Sequence, residues 1–233
     1  MKKKSYRISG LTLIEILIGI VITTIMMAAM YTSYTVVNNS YSQVTGRASV
    51  SASGRDVSAM LIRELRMAGF RYYGDNLHFD DGKGSDEEEN NHYPIIIKEI
   101  VGNCCDRIEI VYGDYDSSRA GDEADPRFLR YKVIYFAGLV DENYNLYKVK
   151  LKWNNSETQW EYVYGGETDK VYPETPITIE NAELLRKYVE GMDFVPIDKD
   201  GKKIPTPLTI TENSDRLNDV RTLDLKITFR SKD

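Results

Sequence analysis

Apolar and polar positions divide this chain into a long helical part and a strand-rich part. Residues 11–30 read LTLIEILIGIVITTIMMAAM, a run in which Glu15 is the single charged residue. About 20 apolar residues are enough to cross a bilayer as a helix. From residue 31 to Ala68, apolar positions recur at three- and four-residue steps, which is typical of an amphipathic helix. The pattern therefore predicts one helix from about Thr12 to about Ala68.

Two glycines mark where we expect this helix to be weak or to end. Gly54 follows Ser53 in the middle of the amphipathic part, and a glycine there costs about 1 kcal/mol relative to alanine. The apolar stripe is briefly irregular near Ser53 and Gly54, and we nonetheless predict that the helix continues through it. Gly69 follows the last apolar position and is the predicted end of the helix.

The remainder of the chain reads as strands separated by polar turns. Alternation and β-branched or aromatic content predict strands at 93–101, 107–112, 130–136, 144–153, 160–164, 189–197 and 220–229. Residues 182–188 are predicted as a short helix. Polar loops are predicted at 75–92 and 113–126, and turns at 141–143, 154–157 and 198–201. The expected fold class is α+β, with one long helix packed on an antiparallel β-sheet.

Glu15 is the most informative residue because a carboxylate inside an apolar span is costly and requires a partner. The ten residues before the span, MKKKSYRISG, carry four basic residues and no acidic residue. Basic residues beside a first apolar segment stay in the cytoplasm, so the rest of the chain is expected to face outward. A cleaved secretory signal is the rival interpretation, but its apolar core would be shorter.

The leader and the span together resemble the class III leader of type IV pilins and type II secretion pseudopilins. A short basic leader ends in Ser9-Gly10, and Leu11-Thr12-Leu13-Ile14-Glu15 follows. The resemblance implies cleavage by prepilin peptidase between Gly10 and Leu11, and N-methylation of Leu11. Leu11 stands where this family usually has Phe. The span also lacks the proline at which major pilins often kink.

Two further stretches are similar to PilW-type minor pilins. One is IRELRMAGF at residues 62–70, and the other comprises VEGMDF at 189–194 with VRTLDL at 220–225. The resemblance implies a pilin-like fold with a leader at 1–10, a membrane segment at 11–30, an amphipathic helix at 31–69 and an exported domain at 70–233. It further implies an inner-membrane precursor that becomes part of the pilus tip, with a role in pilus assembly and cell adhesion.

The same resemblance supplies a role and partners for Glu15. In this family the corresponding carboxylate is thought to pair with the new N-terminal amine, here that of Leu11, during assembly. Its position also allows pairing within one chain, since the two residues are i,i+4 neighbours, and both interpretations stay open. The implied partners are prepilin peptidase, other minor pilins, the major pilin and inner-membrane lipid.

Two alternative functions fit the same sequence. A J-type minor pseudopilin of a type II secretion system shares the leader and the outline of the fold. A bitopic membrane protein with an exported ligand-binding domain would keep its N-terminus intact.

Catalysis, nucleic-acid binding and metal binding have little support. Both histidines, His78 and His92, fall in a polar loop, and no nucleophile, phosphate or zinc motif is present. The net charge of −6 becomes four charges more negative without the leader, which disfavours binding to phosphate backbones. Asp198-Lys199-Asp200-Gly201 is part of a calcium-loop pattern, but a turn is the better interpretation. The acidic run at 86–89 is interpreted as a solvated loop.

Cysteine and tyrosine content leaves two smaller questions open. Cys104 and Cys105 are adjacent, which is far from the usual disulfide spacing, so packed or free thiols are preferred to a disulfide between neighbours. The 17 tyrosines are expected to pack in the sheet. A partner-binding face at a pilus tip is the alternative.

Overall fold

The computed structural model describes residues 12–70, 94–99, 104–115, 128–154, 159–163, 171–172, 177–209, 212–217 and 219–230. It contains helix α1 (Leu13–Met67) and nine strands: β1 (Ile95–Lys98), β2 (Arg107–Tyr115), β3 (Phe128–Val140), β4 (Asn143–Asn154), β5 (Gln159–Tyr162), β6 (Val171–Tyr172), β7 (Glu183–Lys187), β8 (Val189–Ile197) and β9 (Thr222–Phe229). Short 3-10 turns occupy Ile179–Asn181 and Ser214–Arg216. One long helix with antiparallel sheets confirms the predicted α+β, pilin-like fold.

The chain divides into two compact units, Met1–Ser49 and Val50–Asp233. In the first unit the described residues form only the first part of α1, and none of them is buried. Its large apolar side chains are exposed all round. Leu13, near the start of the segment, is 82% exposed, and Tyr41, near its far end, is 71% exposed. This is the pattern of a helix that has lipid or other protein as its surroundings.

The second unit is built on two antiparallel sheets. The larger has seven strands in the order β1-β2-β3-β4-β5-β6, and β7 also pairs with β4. Strand β4 pairs with β3 along one edge, and its other edge is shared by β7 near Asn145 and by β5 near Trp153. The smaller sheet consists of β8 and β9, with Val189 opposite Phe229 and Ile197 opposite Thr222.

Apolar cores cover both faces of the larger sheet. On one face, Val57 and Leu61 of α1 pack with alternate residues of β2 and β3, and with Met192 and Phe194 of β8. The second core contains Val111, Ile134, Phe136, Tyr147, Val149, Leu151, Trp160 and Tyr162. Because both faces are covered, side chains on either side of these strands are removed from water.

The helix ends where the sequence predicted, and it runs without a break as expected. Gly69 has φ of +71°, the left-handed conformation typical of a helix C-terminus. Its N–H donates to Val111 O at 2.9 Å, which ties the helix end to β2. The helix also continues past Ser53 and Gly54, where the apolar stripe is irregular. There the ring of Phe229 packs beside Gly54, and Arg186 donates to Ser53 Oγ at 3.0 Å.

The predicted helix at 182–188 is wrong, because these residues form β7. The helical turn before it ends at Asn181. Leu184 and Leu185 are adjacent apolar residues, a pattern that suits either structure. The open edge of β4 decides between them, since it offers backbone partners to Glu183–Lys187.

Most predicted strands are confirmed with adjusted bounds. The predicted loop at 113–126 begins later, because β2 continues to Tyr115 and pairs with β3. Turns at Asp141 and Glu142, and at Gly201, are confirmed by their positive φ angles. The predicted loop at 75–92, with His78, His92 and the acidic run 86–89, lies outside the described residues.

Candidate assembly site at the start of the helix

Glu15 is held by Thr12 at the first turn of α1. One carboxylate oxygen, Oε2, accepts the backbone N–H and the Oγ1 hydroxyl of Thr12, both at 2.8 Å. The carbonyl of Thr12 accepts the N–H groups of Glu15 and Ile16 at 3.1 and 3.3 Å. Thr12 is therefore the N-cap residue, and Glu15 satisfies one of the donors that a helix start leaves unpaired.

Thr12 is a site residue that the sequence argument missed. The spacing Thr12-x-x-Glu15 is that of a capping box, in which the third helical residue reaches back to the N-cap backbone. This signal was present in the sequence and would have identified Thr12 as the first partner of Glu15. The other two predicted site residues, Gly10 and Leu11, lie outside the described residues.

The apolar part of α1 leaves Glu15 as its single charge. No charged residue occurs between Glu15 and Arg47. The hydroxyls of Thr23 and Thr24 donate to carbonyls of their own helix, Gly19 O at 2.9 Å and Ile20 O at 3.0 Å. The helix is long and apolar enough to cross a membrane. A second chain or lipid therefore meets one carboxylate on an otherwise uncharged surface.

The far end of α1 is fixed to the sheet by a buried ion pair. Lys148 Nζ on β4 lies 3.1 Å from Glu64 Oε1, and the two side chains are 6% and 7% exposed. The Tyr112 hydroxyl also bonds to Glu64, and burial together with this carboxylate raises the pKa of Tyr112. Glu64 falls in the 62–70 stretch noted in the sequence, but its partner, 84 residues away, could not be identified there.

The Asp198 turn is confirmed, and its carboxylate is occupied by protein donors. Oδ1 accepts the N–H groups of Asp200 and Lys202 at 2.9 Å, and Oδ2 accepts Arg216 Nη2 at 3.1 Å. The Lys202 N–H contributes most to lowering the pKa of Asp198, with smaller contributions from the Asp200 N–H and the Arg216 charge. Among the described residues, no group of His, Cys, Asp and Glu is arranged to hold a metal ion.

The preference for separate thiols at Cys104 and Cys105 is wrong. The two form a disulfide, with Cα atoms 3.7 Å apart. Cys105 is 4% exposed and Cys104 is half-buried. Adjacent cysteines were expected to be too close together for the usual disulfide geometry. The backbone at Cys104 and Cys105, just before β2, nevertheless accommodates the closed ring.

Comparison with known protein families identifies the N-terminal segment. The family described as the prokaryotic N-terminal methylation motif matches residues 6–31, which include the leader end, Thr12 and Glu15. No curated protein and no solved structure matches the chain.

The motif and the fold together support a pilin- or pseudopilin-type protein. The motif implies processing by prepilin peptidase, and the long apolar helix supports membrane anchoring. The match ends at residue 31 and does not extend over the β domain.

Proposed function

We propose that this chain is a PilW-type minor pilin that starts or caps a type IV pilus. Prepilin peptidase cleaves between Gly10 and Leu11, and Leu11 becomes the methylated N-terminus. The observation that carries the proposal is the single carboxylate of Glu15, capped by Thr12, on an uncharged helix surface. A long, exposed apolar helix with one carboxylate fits a membrane-anchored subunit that assembles with others.

Charge pairing gives Glu15 its role in assembly. Cleavage creates an ammonium group at Leu11, close to the start of an apolar helix. An unpaired ammonium and an unpaired carboxylate are both costly in lipid. Placing Glu15 of an incoming subunit beside the Leu11 amine of its neighbour satisfies both charges at once. The capped geometry suits this exchange, since the two bonds that the structure gives the carboxylate both end on Oε2.

The β domain provides the contacts that distinguish this subunit from others. Before assembly we place it in the periplasm, with α1 in the inner membrane; after assembly it lies at the pilus tip beside other minor pilins and the major pilin. The Glu64–Lys148 pair supports this arrangement, because it fixes the end of α1 to the sheet. Movement of the helix end would then move the sheet with it.

Replacement of Glu15 tests the role in assembly. Glu15→Val should be cleaved normally, as shown by the mass of the mature chain, but should be missing from sheared pili. Thr24→Val is the matched control, because it changes another polar residue of the span and should be incorporated normally. Incorporation of Glu15→Val at the wild-type level would overturn the role given to Glu15.

Two measurements separate the proposal from its alternatives. The intact mass of the membrane-bound chain distinguishes a processed pilin from a bitopic protein, which would retain residues 1–10. Crosslinking from the β domain then distinguishes the two processed classes. Minor pilins should be captured if the chain belongs to a pilus, and secretion pseudopilins if it is a J-type subunit.

A further inference from the structure

The disulfide lies where the two sheets of the β domain meet. Cys105 forms a parallel β-bridge with Met192 of β8. The next residue, Asp106, donates its N–H to Met192 O at 2.8 Å, and its Oδ2 accepts the Phe194 N–H at 3.0 Å. These bonds link the residues before β2 to the smaller sheet. We call the two facing segments, 104–106 and 192–194, the sheet junction.

The disulfide cannot stabilise this fold in the usual way. A disulfide stabilises mainly by restricting the unfolded chain, and its contribution grows with the length of the loop that it closes. Cys104 and Cys105 are neighbours, so their bond closes no loop of chain. Its effect is local, because the ring fixes the backbone torsions on either side of the peptide bond between them. The ring adjoins the two residues, Cys105 and Asp106, that pair with Met192.

The sheet junction also brings carboxylates close together. Their repulsion opposes its closure, so the backbone hydrogen bonds formed there matter. Burial is the main cause of the raised pKa of Asp106, and the nearby carboxylates of Asp193 and Glu99 raise it further. The N–H of Phe194 acts in the opposite direction. The junction is therefore held by apolar packing of Cys105, Met192 and Phe194 and by a few directed hydrogen bonds, against desolvation and like-charge repulsion at Asp106.

We propose that the Cys104–Cys105 disulfide is a redox switch that keeps the sheet junction closed when oxidised and loosens it when reduced by a dithiol. Disulfides persist outside the cytoplasm, which fits an exported domain. Cys104 is half-buried while Cys105 is buried, so Cys104 is the more accessible residue of the two.

The exchange proceeds in two steps. One thiolate of the dithiol attacks Cys104 Sγ, the S–S bond breaks, and Cys105 leaves as a thiolate that takes up a proton. The second thiol of the reductant, as its thiolate, then attacks the mixed disulfide and releases Cys104, which also takes up a proton. The protein gains two electrons and two protons, and the dithiol becomes a disulfide.

Hydrogen exchange of the full-length chain in detergent tests this proposal, with dithiothreitol as the reductant. After reduction, amides of residues 192–194 should exchange about tenfold faster, whereas amides in the centre of β3 and β4 should be unchanged. Iodoacetamide should add two labels to the reduced chain and none to the oxidised chain, which verifies the redox state.

A double variant, Cys104→Ser with Cys105→Ser, provides the control. It should exchange like the reduced wild-type chain, with or without dithiothreitol. If the variant does not fold, the oxidised and reduced forms of the wild-type chain still make the comparison. The proposal is overturned if the doubly labelled chain keeps the oxidised exchange rate, or if the chain isolated without reductant already takes up two labels.

Discussion

Lys148 and Glu64 form an ion pair of 3.1 Å that is almost completely removed from solvent. The pair joins strand β4 to the last turns of α1, and the Tyr112 hydroxyl bonds to the same carboxylate. Lys148 Nζ also lies 5.7 Å from the centre of the Tyr135 ring. Each charge thus has neighbours that complement it. If one charge were removed, the other would remain buried without an opposite charge beside it.

Removing one partner should therefore destabilise the fold strongly. Lys148→Met leaves the Glu64 carboxylate buried, and we expect a loss of about 3–5 kcal/mol in the free energy of unfolding. The double variant Glu64→Leu with Lys148→Met removes both charges and should recover most of that loss. Urea unfolding of the full-length chain in detergent, followed by the fluorescence of buried Trp160, measures both. A double variant as unstable as the single one would contradict this view of the pair.

Gly54 within α1 and Gly69 just after it should respond in opposite directions to alanine. Gly69 has φ of +71°, and a Cβ there would lie 3.2 Å from Pro94, so Gly69→Ala should cost about 1–2 kcal/mol. At Gly54 an added Cβ would lie 3.5 Å from the Phe229 ring, an ordinary contact. Gly54→Ala should therefore stabilise the chain by about 0.5–1 kcal/mol through helix propensity. Thermal unfolding of the two variants tests the sign of each effect.

The long-range features of this fold could not be predicted from sequence. Periodicity identified α1 and the strands β8 and β9, because each has a regular apolar pattern over many residues. It also predicted a strand at 144–153, but alternation alone assigns no cover to the face that carries Lys148 and Lys150. In the structure that face is covered by α1, and Lys150 Nζ lies 4.0 Å from the centre of the Tyr131 ring. Burial lowers the pKa of Lys150.

Only part of the candidate site could be predicted from the sequence, namely the part whose signals are local. Glu15 stood out because a charge in an apolar span is visible in composition alone. Its capping by Thr12 is local and was recognisable from spacing. The disulfide at Cys104 and Cys105 was not, since its formation depends on backbone torsions that the surrounding sheets impose and that no residue pattern records.

The two perturbed aspartates of the β domain should change stability with pH in opposite directions. The pKa of Asp198 is lowered in the folded chain, so its contribution is present above the unfolded pKa of about 3.9 and is lost as pH falls through the folded value. The pKa of Asp106 is raised. Its ionisation therefore destabilises the fold as pH rises from about 3.9 through the folded value.

Asparagine variants separate these two contributions. Asp198→Asn should reduce stability at pH 7 and flatten the acid limb of the stability profile. Asp106→Asn should be neutral or stabilising at pH 7, since an amide oxygen can still accept the Phe194 N–H. Asp224→Asn, at an exposed position of β9, is the control. Urea unfolding between pH 3 and pH 7 gives the profiles, and parallel curves for all three variants would contradict the assignment.

Thr12 should influence assembly through the carboxylate that it holds. Thr12→Val keeps the backbone N–H bond to Glu15 but loses the hydroxyl bond, so the carboxylate is held less firmly before it meets a partner. We expect normal cleavage and reduced incorporation into pili, between those of the wild-type chain and Glu15→Val. Thr12→Ser restores the hydroxyl and should restore incorporation. Thr12→Val and Thr12→Ser both leave the apolar span intact, so both should insert into the membrane normally. The amount of mature chain verifies this, because a membrane-insertion defect would lower it. Equal incorporation of the two variants, at equal amounts of mature chain, would show that the hydroxyl bond has no part in assembly.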